Sequence, residues 1–276
     1  MTDAQRPAAA ASLSLVPKEH GASFMSVHAL LLGIVAGFAA GGRSWTGLLL
    51  SLAFGALFLP LTAAVSVITH PKLAARARRR AVILGAAFAA LGGLALLHGP
   101  AAQLLWLGAT GTVLGGVYAV ARDQTGPRSV PSQLTAIASI CLLAPLAWLL
   151  TAGVTDRWQL SAVAAFLSFG GTVPYVRERV RRRRFPSLTF AERLRGGWLA
   201  LAWQAVALGS ACVAAGACVV SPLVPVAFVP GVVKVVSAIA RPETRPPIKR
   251  IGYLETGVST VFAVLAGIGL GIAPPA

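Results

Sequence analysis

Nine apolar runs, each close to 20 residues long and separated by short polar stretches, constrain this chain more than any other feature. They lie at approximately 22–41, 46–69, 82–98, 101–121, 133–152, 158–176, 197–219, 222–240 and 252–272. About 20 apolar residues in helical form cross the ~30 Å hydrocarbon core of a bilayer. The pattern predicts an all-α membrane protein, a bundle of about nine transmembrane helices. Gly99-Pro100 and Ser221-Pro222 read as tight turns between neighbouring helices, and Pro145, Pro174, Pro225 and Pro230 as kinks. Such residues are tolerated in membranes, because neighbouring helices satisfy the freed backbone groups.

Charge supports the same class. Only 12% of the residues are charged, whereas a soluble domain carries about a quarter. The net charge of +16 is high enough for a nucleic-acid binder, but the basic residues fall in clusters between apolar runs rather than on a polar scaffold. Nucleic acid is therefore set aside as a partner. Counted over alternate connections, 21 Lys and Arg lie on one side, with Arg43 and Arg157 alone on the other and Lys234 inside a run. By the positive-inside rule, the N-terminus is expected in the cytoplasm and the C-terminus outside. Residues 1–16 read as a disordered cytoplasmic tail and 17–276 as one transmembrane domain. Trp45, Trp106 and Trp158 suit an interfacial belt, and Cys141, Cys212 and Cys218 read as small buried hydrophobes. In segment 177–196, the arginine run extends the sixth helix until Phe185-Pro186 ends it; Ser187 to Arg195 fits a short interfacial helix.

Chemistry-bearing residues gather at the cytoplasmic ends. Pro17-Lys18-Glu19-His20-Gly21 opens the first helix; its simplest role is an interfacial cap, with Lys18 reaching phosphates and Glu19 facing the helix N-terminus. Glycine beside His20 also leaves room for a ligand. Thr62, Ser66 and Thr69 make one polar stripe leading to His70, of the kind that usually bonds neighbouring helices. Arg122, Asp123 and Arg128 follow the fourth run, where a surface ion pair is the plainer reading. In the last hairpin, Lys234 and Glu255 sit at similar depth, and intramembrane charges normally pair, so an ion pair between them is predicted. Arg177, Glu178, Arg241, Lys249 and Arg250 complete a basin lined by positive charge, suited to an anionic head group whose apolar tail enters the bundle.

Pro17-Lys18-Glu19-His20-Gly21, Thr172-Val173-Pro174-Tyr175-Val176-Arg177-x-Arg179 and Ile248-Lys249-Arg250-Ile251-Gly252-x-x-Glu255 resemble the YwiC-like family of bacterial membrane proteins. That resemblance implies a bacterial inner-membrane location. The layout is also similar to the UbiA superfamily of intramembrane prenyltransferases. Those enzymes hold Mg²⁺ with two aspartate-rich motifs, for which this chain has Thr62-x-x-x-Ser66…His70 and Arg177-Glu178-Arg179. The metal ligands are not carried over, Mg²⁺ is not expected, and the cofactor is unknown. Three functions follow. The first is a metal-independent enzyme on a prenyl or other lipid-soluble anionic substrate, with Glu19, His20, Lys234 and Glu255 as catalytic candidates. In it Lys18, His70, Arg122, Asp123, Arg128, Arg177, Glu178, Arg241, Lys249 and Arg250 bind the anion. The second is a scaffold binding lipid or quinone without chemistry. The third is an anion transporter, which would want polar lining through the whole membrane depth.

Overall fold

The computed structural model describes residues 20–67, 74–126, 129–184, 188–241 and 247–272. Among them run eleven helical segments: α1 (His20–Ala39), α2 (Trp45–Val67), α3 (Ala74–His98), α4 (Ala101–Thr125), α5 (Val130–Cys141), α6 (Leu143–Ala152), α7 (Trp158–Gly170), α8 (Thr172–Arg184), α9 (Phe190–Gly216), α10 (Leu223–Ala240) and α11 (Ile248–Gly271). The α5–α6 pair and the α7–α8 pair each form one broken span, so the segments make the nine expected rods. Eight spans are long and apolar enough to cross a membrane, and the apolar part of α1, Phe24–Ala39, is shorter. The chain is an all-α membrane protein.

Both breaks have the same cause. Pro145 cannot donate to the carbonyl of Cys141, and its ring collides with that carbonyl; the helix yields at Leu142. Pro174 stands in the same relation to Gly170, and the chain yields at Gly171. The carbonyls freed at the second break find other donors: Trp203 Nε1 reaches Leu167 O at 2.7 Å, and Thr172 Oγ1 reaches Phe169 O at 2.6 Å. Pro230 lies inside α10, and so does Pro60 inside α2, a position the sequence reading passed over. Pro225 falls in the first turn of α10, where a missing N–H costs nothing, so it starts the helix rather than kinking it.

Small residues set the packing. α1 runs through the middle of the bundle, against α6 and α11 and also touching α2, α5 and α7. Gly33 and Gly37, four apart on one face, lie against Ala144 O and Thr151 Oγ1, with no space for a Cβ. On the opposite side Gly267 and Gly271 of α11 lie against Leu32 O and Ala36 O. Close backbone approach of this kind replaces the hydrophobic drive that lipid does not supply. By contrast α3 and α4 show their sides outward: only 6% and 11% of their spanning windows are buried.

The ends alternate as the loops required. At one end Ser44 N donates to Thr151 O, Ser221 N to Gly269 O and Arg157 Nη1 to Ile272 O. The ends carrying the arginine clusters lie opposite. Several charged stretches expected in loops are helical: Arg76 to Arg80 open α3, and Arg122 and Asp123 close α4. Helical backbone bonds are internal whatever the side chain, so the rods continue beyond their apolar windows. The expected interfacial helix at 187–195 is instead the start of α9, fixed by a capping box in which Thr189 Oγ1 accepts from Glu192 N and Glu192 Oε2 accepts from Thr189 N. Trp158 is buried with its ring edge-on to Trp106, not in a belt, and Cys212 and Cys218 are exposed while Cys141 is buried. Residues 1–16 lie outside the described residues.

Candidate functional site

The polar residues of the basic end divide between two sites, back to back across α8 and α9. The first is a small chamber lined by Ser168, Thr172, Gln204, Gly231, Lys234, Glu255 and Ser259 over an aromatic floor of Phe228 and Phe262. Its free volume is about 10 Å³, room for a single water. Here the predicted ion pair is present: Lys234 Nζ lies 2.8 Å from Glu255 Oε1 and 2.9 Å from Oε2. The ammonium also stands 4.7 Å from the centroid of the Tyr175 ring. Lys234 is six residues from the end of α10 and Glu255 seven from the start of α11, each ~10 Å along its helix. Tyr175, Val235, Ile239 and Ile251 form a separate apolar cluster beside the pair, towards the helix ends.

Gln204 reaches this chamber because two glycines make room for it. A Cβ at Gly171 would come 2.8 Å from Gln204 Nε2, and one at Gly231 would come 2.9 Å from Oε1. The neighbouring Trp203 lies against Gly170 and Gly171 from the other face. The helix break is thus the wall between the two sites.

The second site is a cleft of about 510 Å³ between α5, α8 and α9. Val130, Leu134, Val173, Pro174, Leu199 and Trp203 make its apolar length, and Arg177, Glu178, Arg181 and Gly196 its polar end. Arg177 and Arg181, one helical turn apart, share a face of α8. Glu178 is buried beneath them. It accepts from Arg181 Nε at 2.8 Å and from Arg182 Nε at 3.0 Å. Gly196 is what admits this group, since any Cβ there would overlap Arg181 Nη2 and both Glu178 oxygens. Behind it Arg182, itself buried, donates to the carbonyls of Ala238 and Arg193, and Arg193 Nε donates to Ile239 O at 2.9 Å. These guanidinium groups satisfy the last carbonyls of α10, which a helix cannot pair for itself.

The expected single basin is therefore partly assembled. Arg177 and Glu178 meet in the cleft, and Lys234 and Glu255 meet in the chamber. Arg122 and Asp123 lie near the end of α4 and line neither the chamber nor the cleft, while Arg241, Lys249 and Arg250 are exposed at the α10–α11 end. His20 begins α1, but its side chain lies outside the described residues, as do Lys18, Glu19, His70 and Arg128. Of the Thr62–Ser66–Thr69 stripe, only the Thr62 side chain is described, and it is half-buried. Among the described residues no three His, Cys, Asp or Glu side chains converge as a metal site would need.

Sequence reasoning missed His28, Gln204 and Trp203. His28 is buried between α1 and α11, its Nε2 2.9 Å from Thr260 Oγ1 and its Nδ1 2.6 Å from Phe24 O. An ionisable ring amid an apolar run was the available signal. Gln204, a polar amide inside the seventh run, carried the same signal; nothing marked Trp203, whose importance comes from the break opposite it.

The fold and these sites define a multi-pass helical membrane protein with a polar interior near its basic end. Residues 16–148 match the model of the YwiC-like protein family, which bears out the family that the opening motif resembles. The match takes in α1 to most of α6, including the α5 side of the cleft, and stops before α7. No curated protein and no solved structure matches the chain.

Proposed function

We propose that this protein binds an anionic amphiphile in the cleft between α5, α8 and α9, with the head group at Arg177 and Arg181 and the apolar tail along Leu134, Leu199 and Trp203. The single observation that carries the reading is the cleft's two-ended lining, apolar over most of its length and basic at the end nearest the arginine-rich helix termini. Guanidinium groups suit a planar or tetrahedral anion, which they can hold with two parallel hydrogen bonds. The reading takes the basic end as cytoplasmic, in a bacterial inner membrane. The charge asymmetry of the two ends supports that orientation. Binding without chemistry is favoured over a transferase activity. The Lys234–Glu255 pair stands on the far face of α8 and α9 from the cleft, and no nucleophile or metal site adjoins Arg177 or Arg181 among the described residues.

The test is to purify the protein from its own membranes in mild detergent, then extract and identify co-purifying lipids by mass spectrometry. A specific acidic amphiphile is expected with the parent chain and is expected to be lost from Arg177→Gln/Arg181→Gln. An identical lipid profile from parent and variant, dominated by bulk phospholipid, would sink the proposal.

A further inference from the structure

The chamber at Lys234 and Glu255 contains more hydrogen-bonding groups than its residues can pair among themselves. Gln204 is buried, 4% exposed, with its amide seated between Gly171 and Gly231. Among the described residues the side chains of Ser168, Gln204 and Ser259 make no hydrogen bond, although all three line the chamber. Thr172 Oγ1 donates its only proton to Phe169 O, so towards the chamber it can only accept. Glu255 Oε1 is buried as well and, though 2.8 Å from the Lys234 ammonium, receives no well-directed hydrogen bond. Buried polar groups are normally paired, and here four helices, α7, α8, α9 and α11, each bring at least one that is not.

Size and charge select what completes them. The free volume of about 10 Å³ admits one water and nothing larger. Lys234 and Glu255 cancel each other's charge, so an inorganic ion would leave a net charge inside the bundle, where charge is costly. A neutral molecule with two protons to give and two lone pairs to offer matches the inventory. Thr172 Oγ1 and Glu255 Oε1 only accept, whereas the Ser168 and Ser259 hydroxyls and the Gln204 N–H can donate. A cavity of this size with two to four polar partners holds a water, while an apolar one stays dry.

We propose that the chamber is a binding site for one water molecule, which hydrates the Lys234–Glu255 pair inside the membrane, and that Gln204 is the positioning residue that keeps it there. The water joins both sides of the α7–α8 break to α9 and α11. The site is separate from the cleft, so its test leaves the amphiphile reading untouched.

The chamber carries its own reporters. Phe228 and Phe262 form its floor and are buried, and a hydroxyl radical made from a bound water oxidises the side chain beside it. The full-length protein in mild detergent and heavy-oxygen water would be exposed to pulses of ionising radiation, digested and read by mass spectrometry. Phe228 and Phe262 are expected to gain oxygen severalfold faster than Phe54, which is equally buried but lines neither site. Gln204→Met, which keeps the length and removes both polar ends, is expected to abolish that excess. Gly231→Ala, whose Cβ would press on Gln204 Oε1, is expected to do the same with the amide retained. Circular dichroism and gel filtration would show whether each variant has folded. Oxidation of Phe228 and Phe262 no faster than that of Phe54 in the parent would overturn the proposal whatever the variants do. An excess that survives in folded Gln204→Met would overturn the role of Gln204, and one that vanishes when sodium chloride replaces choline chloride would give the space to a cation instead.

Discussion

Removing Lys234 alone would leave Glu255 without its partner inside the bundle. Breaking a buried pair from one side costs ~3–5 kcal/mol, while replacing both members by apolar groups of similar size is often neutral. Lys234→Met is therefore expected to melt well below the parent in detergent, and Lys234→Met/Glu255→Met close to it. A double variant that melts as low as the single one would show that the pairing is not what stabilises this region. Trp203→Phe keeps the ring against Gly170 and Gly171 but leaves Leu167 O without its donor. An unsatisfied buried group costs ~1–3 kcal/mol, so this variant should lower thermal stability, as read by differential scanning fluorimetry. The two residues differ in how far the sequence announces them. A lysine and a glutamate at matching depths in antiparallel apolar runs almost require each other, whereas the partner of Trp203 is a carbonyl 36 residues earlier, exposed by a helix break.

Elements were legible for a physical reason: a helix in hydrocarbon needs length and apolarity, and both can be counted along the chain. The count could not say where a rod stops once it leaves the apolar window, because charged side chains do not interrupt backbone hydrogen bonds. That is why Arg76 to Arg80 and the Arg122-Asp123 pair turned out helical, while the extension of the sixth run through Arg184 was the one such continuation the sequence led us to expect. Nor could it separate prolines by effect, which depends on the turn in which each falls. Pro145 and Pro174 break their spans, and Pro225 begins one. The α1–α6 contact gives the clearest element-scale prediction. Gly33→Val or Gly37→Val would drive side-chain atoms into Ala144 O or Thr151 Oγ1 and part the two backbones. Either change should convert a monodisperse gel-filtration peak into aggregate, whereas Gly92→Val on the outward side of α3, with nothing nearby, should leave the profile unchanged.

For the whole molecule, the sequence revealed that polar chemistry collects at one end but not that α8 and α9 divide it. A basin inferred from depth alone has no means of telling the two faces of a helix apart without its neighbours. Division into chamber and cleft leads to a clean separation of effects: Lys234→Met should weaken the fold and leave lipid retention per folded molecule unchanged, while Arg177→Gln/Arg181→Gln should do the reverse. The Lys234–Glu255 contact also bears on how the chain enters the bilayer during synthesis. α10 emerges first, carrying a lysine whose insertion near the middle of a span is disfavoured by up to ~3 kcal/mol, and its neutralising partner arrives only with α11. The last two helices are therefore expected to enter the bilayer as a pair. Until α11 is made, the Lys234 ammonium lacks its carboxylate, so a chain ending between the two helices is expected to insert α10 less completely than one that includes α11.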